Sequence, residues 1–130
     1  MITIYTILVV DDDPHILTLV EAILSMEKYK VLTASNGREC LRIIENTKPD
    51  LVLLDVMMPF MNGWQVCEKR KKDEKTKDII VVMMTAKEKV LFYSLGKSLG
   101  AADYIGKPFE NQDLVNVVKK LLENKAKSSK

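Results

Sequence analysis

Short apolar runs alternate along the chain with amphipathic stretches, and most runs end on a polar residue. Ile7-Leu8-Val9-Val10 is of strand type and stops at Asp11-Asp12-Asp13. Pro14 to Lys28 carries Ile16, Leu17, Val20, Ile23 and Leu24 at helical spacing. Asp13 suits the cap of that helix, and Pro14 suits its first position, where a missing N–H costs nothing. Val31 to Ala34 reads as a second strand. Asn36-Gly37 is a turn, with Asn36 placed to cap a second helix. Cys40, Leu41 and Ile44 mark that helix, which is short and stops before Pro49.

Leu51-Val52-Leu53-Leu54 is a third strand ending at Asp55, followed by a loop over Met58 to Gly63 and a helix over Trp64 to Lys72. The charge-rich stretch Lys69 to Asp78 reads as a solvated helix end and loop. Ile79 to Met84 is a fourth strand ending at Thr85, and Lys87 to Leu99 fits a fourth helix closed by Gly100. Asp103 to Gly106 is a fifth strand ending at Lys107-Pro108. Asn111 to Asn124 is the fifth helix, with Leu114, Val117, Val118, Leu121 and Leu122 on its apolar face. Lys125 to Lys130 is a polar tail outside a domain of residues 1–124. Near-continuous apolar strands joined by helices predict an α/β fold with a doubly wound parallel sheet covered on both faces.

Composition narrows the class without changing it. A chain of 130 residues holds one core. A net charge of +2 is too small to argue for nucleic acid. No apolar run reaches membrane-spanning length and residues 1–6 lack a signal pattern, so the expectation is a cytoplasmic domain without a membrane partner. Cys40 and Cys67 sit among apolar residues and read as buried free thiols. The seven methionines read mainly as core filler and loop contacts.

The chemistry lies where polar residues end strands. Asp11 and Asp12 end the first, Asp55 the third, Thr85 the fourth and Lys107 the fifth. In a parallel sheet those ends share one edge. With strand order 2-1-3-4-5, strands one and three flank the crevice where ligands bind. Three neighbouring carboxylates repel, and a divalent cation relieves that. Lys107 adds a positive charge and Thr85 a hydroxyl. Cation, ammonium and hydroxyl together match the outer oxygens of a phosphoryl group, and phosphoryl transfer needs mainly positioning and charge stabilisation. Asp55 has the geometry of a nucleophile.

Ile7-Leu-Val-Val-Asp-Asp-Asp-Pro, Leu51-Val-Leu-Leu-Asp-Val-Met-Met-Pro, Met83-Met-Thr-Ala and Lys107-Pro-Phe resemble, in order and spacing, the signatures of response-regulator receiver domains of two-component signalling. The resemblance runs from about Ile7 to Asn124 and implies the flavodoxin-like five-stranded receiver fold. It implies Asp55 as phospho-acceptor and Mg²⁺, with Mn²⁺ as a substitute, held by Asp11, Asp12, Asp55 and the backbone carbonyl of Met57. It implies Thr85 and Tyr104 as switch residues, Lys107 as the lysine that pairs with the phosphoryl, and a cis Lys107-Pro108 peptide. Met57 and Lys87 resemble the pair that tunes phosphoryl lifetime. Gly63 matches the family's glycine at the end of the loop after the acceptor. The implied donor is a phosphohistidine on a sensor histidine kinase or a histidine phosphotransfer protein. The implied response is a change in the surface of the fourth helix, fifth strand and fifth helix that binds an output protein. Monomer or weak dimer is the expected state.

The blander readings are specific. Asp13 is a helix cap rather than a ligand. His15, the only histidine, faces solvent just inside the first helix, and Trp64 packs beside the third. Two other classes stay in view. A Mg²⁺-dependent phosphatase with an aspartyl intermediate needs a second acid two residues after the nucleophile, where this chain has Met57. A nucleotide- or flavin-binding domain lacks its glycine-rich loop after the first strand. The direct expectation is a stand-alone phospho-accepting domain rather than an enzyme. The alternative is the receiver portion of a longer response regulator.

Overall fold

Five apolar runs form one parallel sheet in the computed structural model, which describes residues 2–86 and 99–128. The strands are β1 (Thr6–Val10), β2 (Lys30–Ala34), β3 (Leu51–Asp55), β4 (Ile80–Ala86) and β5 (Asp103–Lys107), ordered β2-β1-β3-β4-β5. The described helices are α1 (Pro14–Met26), α2 (Gly37–Thr47), α3 (Gly63–Lys72) and α4 (Asn111–Ser128). The helix expected over Lys87 to Leu99 falls, except for Leu99, outside the described residues.

The strand period of two divides the core. Ile7, Val9, Leu51, Leu53, Val82 and Met84 face α1 and α4, packing with Val20, Leu24, Leu114 and Val118. Leu8, Val10, Val52, Leu54, Val81 and Met83 face α2 and α3, packing with Cys40, Ile44, Val66 and Cys67. Burying each large side chain contributes roughly 1.5–3 kcal/mol, and every central strand collects that gain on both faces.

Side-chain caps set the helix starts. Asp13 accepts the His15 N–H at 2.9 Å before Pro14, and Asn36 accepts the Glu39 N–H at 2.9 Å. At α3, Asn62 and Gln65 form a reciprocal capping box, with bonds of 3.0 and 2.9 Å.

Two sequence expectations change. The segment from Lys125 is not a tail at its start, because α4 continues to Ser128 and Lys125 Nζ pairs with Asp50 Oδ1 at 2.7 Å. The stretch Lys69 to Asp78 is not wholly solvated either. Arg70 is only 4% exposed, and Thr76 is buried beside it. The Arg70 guanidinium donates to the carbonyls of Lys77 (2.6 Å), Ile79 (3.2 Å), Leu99 (3.2 Å) and Gly100 (3.3 Å), so backbone oxygens take the place of water.

Candidate functional site

The strand ends meet as the sheet order requires. Val10 is level with Leu54, so Asp11 and Asp55 follow side by side at the ends of β1 and β3. Asp55 closes β3 opposite Met84, and Thr85 comes one residue later on β4, opposite Gly106. Lys107 closes β5 opposite Ala86, and the peptide to Pro108 is cis. Asp11, Asp55 and Thr85 are buried, while Asp12 is exposed at the mouth.

Lys107 reaches across the edge to two carboxylates. Its Nζ lies 2.6 Å from Asp11 Oδ2 and 3.2 Å from Asp55 Oδ1. The other oxygen of Asp11 accepts the Asp13 N–H at 2.9 Å. Asp11 is further held by its own N–H, which donates to the carbonyl of Ala34 of β2 at 3.2 Å. Asp55 Oδ1 also accepts the Met57 N–H in a long 3.4 Å contact.

One ammonium does not balance this cluster. Asp11, Asp12 and Asp55 each present an oxygen within 4.8 Å of the other two. Burial, and then the neighbouring charge of Asp11, push the Asp55 carboxyl up from its ordinary 3.8 to about 6, although Lys107 and the Met57 N–H pull the other way. Burial opposes the charge on Lys107, yet its hydrogen bond to Asp11 and the charges of Asp55 and Asp11 outweigh that and raise it. The donor set is all oxygen, anionic and open on the Asp12 side, which fits a hard divalent cation that keeps some of its waters.

The other candidates fall in distinct places. The Met57 side chain points outward and is largely exposed, leaving only its backbone turned to Asp55. Tyr104 is half-buried on the sheet face covered by α2 and α3, with its ring 6.1 Å from that of Trp64. Lys87 lies outside the described residues. His15 is exposed. Cys40 and Cys67 are buried free thiols, and burial pushes Cys40 up to about 12. The closeness of Gly63 to the acceptor strand is not legible from spacing. A Cβ there would stand 2.5 Å from the Asp55 carbonyl oxygen and 2.9 Å from Val56 Cα, so only glycine lets the loop return this tightly.

Residues 7–119 match the response regulator receiver domain family. The chain belongs to that family. This receiver domain is 42% identical over 116 residues to the alkaline phosphatase synthesis transcriptional regulatory protein PhoP of Bacillus subtilis (strain 168), an alignment covering 89% of this chain and 48% of that protein. It is 38% identical over 123 residues to the probable transcriptional regulator ycf27 of Guillardia theta, covering 95% of this chain and 47% of the relative. It thus spans about half the length of the curated relatives it matches. Among solved structures, it resembles a CheY-like response regulator receiver domain protein from Methanospirillum hungatei JF-1, with a TM-score of 0.89 and 32% identity, covering 97% of this chain and 99% of the other. Receiver domains are phospho-accepting signalling domains rather than classical enzymes, and they generally bind Mg²⁺ at an acidic cluster such as the one found here. No helix among the described residues is long and apolar enough to cross a membrane.

Proposed function

We propose that this receiver domain accepts a phosphoryl group on Asp55 from a phosphohistidine of a sensor kinase or phosphotransfer protein. The observation that carries the reading is the bridging of Asp11 and Asp55 by Lys107 inside a three-carboxylate cluster at the sheet edge. Asp55 is ionised in most molecules above pH ~6. Its oxygen attacks phosphorus, the bond from phosphorus to the imidazole nitrogen breaks, and the electron pair returns to that nitrogen. The product is an aspartyl phosphate.

Asp11, Asp12, Asp55 and the Met57 carbonyl are the residues that would hold Mg²⁺, and the cation would supply charge neutralisation for the phosphoryl oxygens. Lys107 is already within reach of Asp55 and moves with the new charge. Thr85, one step beyond the acceptor's register partner, offers its hydroxyl to the phosphoryl. Tyr104 then changes orientation, altering the β5 edge and the α4 face that an output protein reads. Lys87, at the position implied to tune phosphoryl lifetime, is tested by comparing dephosphorylation of the wild type with Lys87→Ala.

A second reading concerns the extent of the protein. The matched relatives are named as transcriptional regulators about twice as long as the matched region. That favours a receiver joined to an output module over a stand-alone adaptor. The phosphatase alternative draws no support, because the position two residues after Asp55 carries an outward-facing thioether. Acetyl phosphate labelling of wild type and Asp55→Asn tests the acceptor assignment.

A further inference from the structure

Trp64 is the single tryptophan of the chain, and phosphoryl acceptance as described makes no use of it. It is the second residue of α3, and its ring packs on Tyr104 of β5 with centroids 6.1 Å apart and planes inclined by 52°. Both side chains are half-buried on the same face of the sheet. Tilted aromatic pairs at this separation attract one another beyond the gain from burial.

The backbone beneath Trp64 is fixed from the acceptor side. The Asn62–Gln65 capping box sets the first turn of α3. The Gly63 N–H donates to the Val56 carbonyl at 2.9 Å, and Gly63 presses on the Asp55 carbonyl too closely to allow a Cβ. On the other side, Tyr104 is the register partner of Met83, whose terminal methyl reaches to 2.8 Å of that same Cβ position. Asp55 is therefore joined to β5 by two routes. One is the charge contact through Lys107. The other is packing, through Gly63 and Trp64 to Tyr104.

We propose that Trp64 is a positioning residue for the switch: its indole is the stop on which Tyr104 rests, and it biases the ring toward the orientation in which this contact forms. The proposal rests on the reading of Asp55 as acceptor and Tyr104 as switch. Removing the stop releases population to the other orientation. A ligand that distinguishes the two orientations then binds with an affinity changed by that shift.

The test uses Mg²⁺ with beryllofluoride, a phosphoryl analogue, titrated calorimetrically into the full chain at neutral pH. Trp64→Leu should change the affinity by roughly two- to tenfold, the size of one aromatic contact: weaker binding if the contact belongs to the phosphorylated orientation, tighter if to the other. Trp64→Phe, which keeps a ring, should return most of the way to wild type. In a Tyr104→Leu background, Trp64→Leu should change affinity by less than about twofold. If Trp64→Leu does not fold, Trp64→Met replaces it with the same expectation. Unchanged affinity, or an equal change in the Tyr104→Leu background, overturns the proposal.

Separate controls distinguish this from failure of the underlying reading. Wild-type affinity in Asp55→Asn would overturn Asp55 as the acceptor. In fluorotyrosine-labelled protein, a Tyr104 resonance that the analogue does not move would overturn the switch and this proposal together. A resonance that moves while Trp64 substitutions leave affinity unchanged would overturn the role of Trp64 alone.

Discussion

Lys107 and Asp11, separated by 96 positions in the chain, form the shortest ion pair of the site at 2.6 Å. The 3.2 Å contact to Asp55 is longer. The ammonium therefore belongs to the acidic pair as much as to the acceptor, and it occupies carboxylates that a cation would also use. Lys107→Ala is expected to destabilise the metal-free domain by about 1–3 kcal/mol, because it leaves buried carboxylates uncompensated. Mg²⁺ should then raise the melting midpoint of the variant more than that of the wild type. Thermal unfolding with and without Mg²⁺ checks both effects; an equal Mg²⁺ response in the two proteins would contradict the shared use of Asp11.

The raised Asp55 fixes a direction for pH. Its folded value, about 6, lies above its ordinary 3.8, so its contribution to stability is full below about 4 and is lost as pH rises through 6. Asp55→Asn removes the repulsion that ionisation brings. The variant should melt higher than the metal-free wild type at neutral pH and lose that advantage near pH ~4. Discounted for solvent at the site's mouth, the effect is on the order of 1 kcal/mol, or about 4 °C. Protons also compete with the cation, so Mg²⁺ affinity of the wild type should fall as pH drops below ~6. Calorimetric titrations across that range measure it.

Gly63→Ala places a methyl group 2.5 Å from the Asp55 carbonyl oxygen, which only a backbone shift relieves. A cost of about 1–3 kcal/mol is expected, together with slower labelling by acetyl phosphate. Urea unfolding gives the first quantity and intact-mass time courses the second. Labelling at the wild-type rate would show that the tight return of the loop does not position the acceptor.

Arg70 holds four backbone carbonyls from the loop before β4 and the turn before β5. Arg70→Ala should cost about 2–4 kcal/mol in urea unfolding, since buried acceptors lose their donors and a cavity opens. Arg70→Lys should recover little of this, because one ammonium cannot reproduce a planar fork of donors. Full recovery by lysine would mean that charge, rather than the fork, stabilises this corner.

Much of the architecture is readable from pattern. The strands bury both faces, so their apolar runs are unbroken, and the polar residue closing each run marks the common edge of the sheet. That logic brings Asp11, Asp55, Thr85 and Lys107 to one edge from sequence alone. What pattern does not carry is which acceptor an ammonium chooses, and Lys107 lies nearer Asp11 than Asp55. Arg70 escapes a pattern reading for a related reason. Its partners are carbonyls distant in sequence, and a run of charges suggests water. A signal is nevertheless present, because Gly63, Val66, Cys67 and Arg70 occupy one helical stripe and all four are buried. α4 runs past Asn124, and Lys125 on its added turn pairs with Asp50, a contact between segments 75 positions apart. The Trp64–Tyr104 contact joins α3 to β5 and likewise has no local signature.

The central claim is that Asp55 receives the phosphoryl group. Intact-mass analysis after incubation with acetyl phosphate and Mg²⁺, followed by borohydride trapping and peptide mapping, tests it most directly. The account predicts one phosphoryl group per wild-type chain, mapped to Asp55, lost on chelation of Mg²⁺ before the reaction and absent from Asp55→Asn. Stoichiometric labelling of Asp55→Asn, or a wild-type label mapped to another residue, would contradict it.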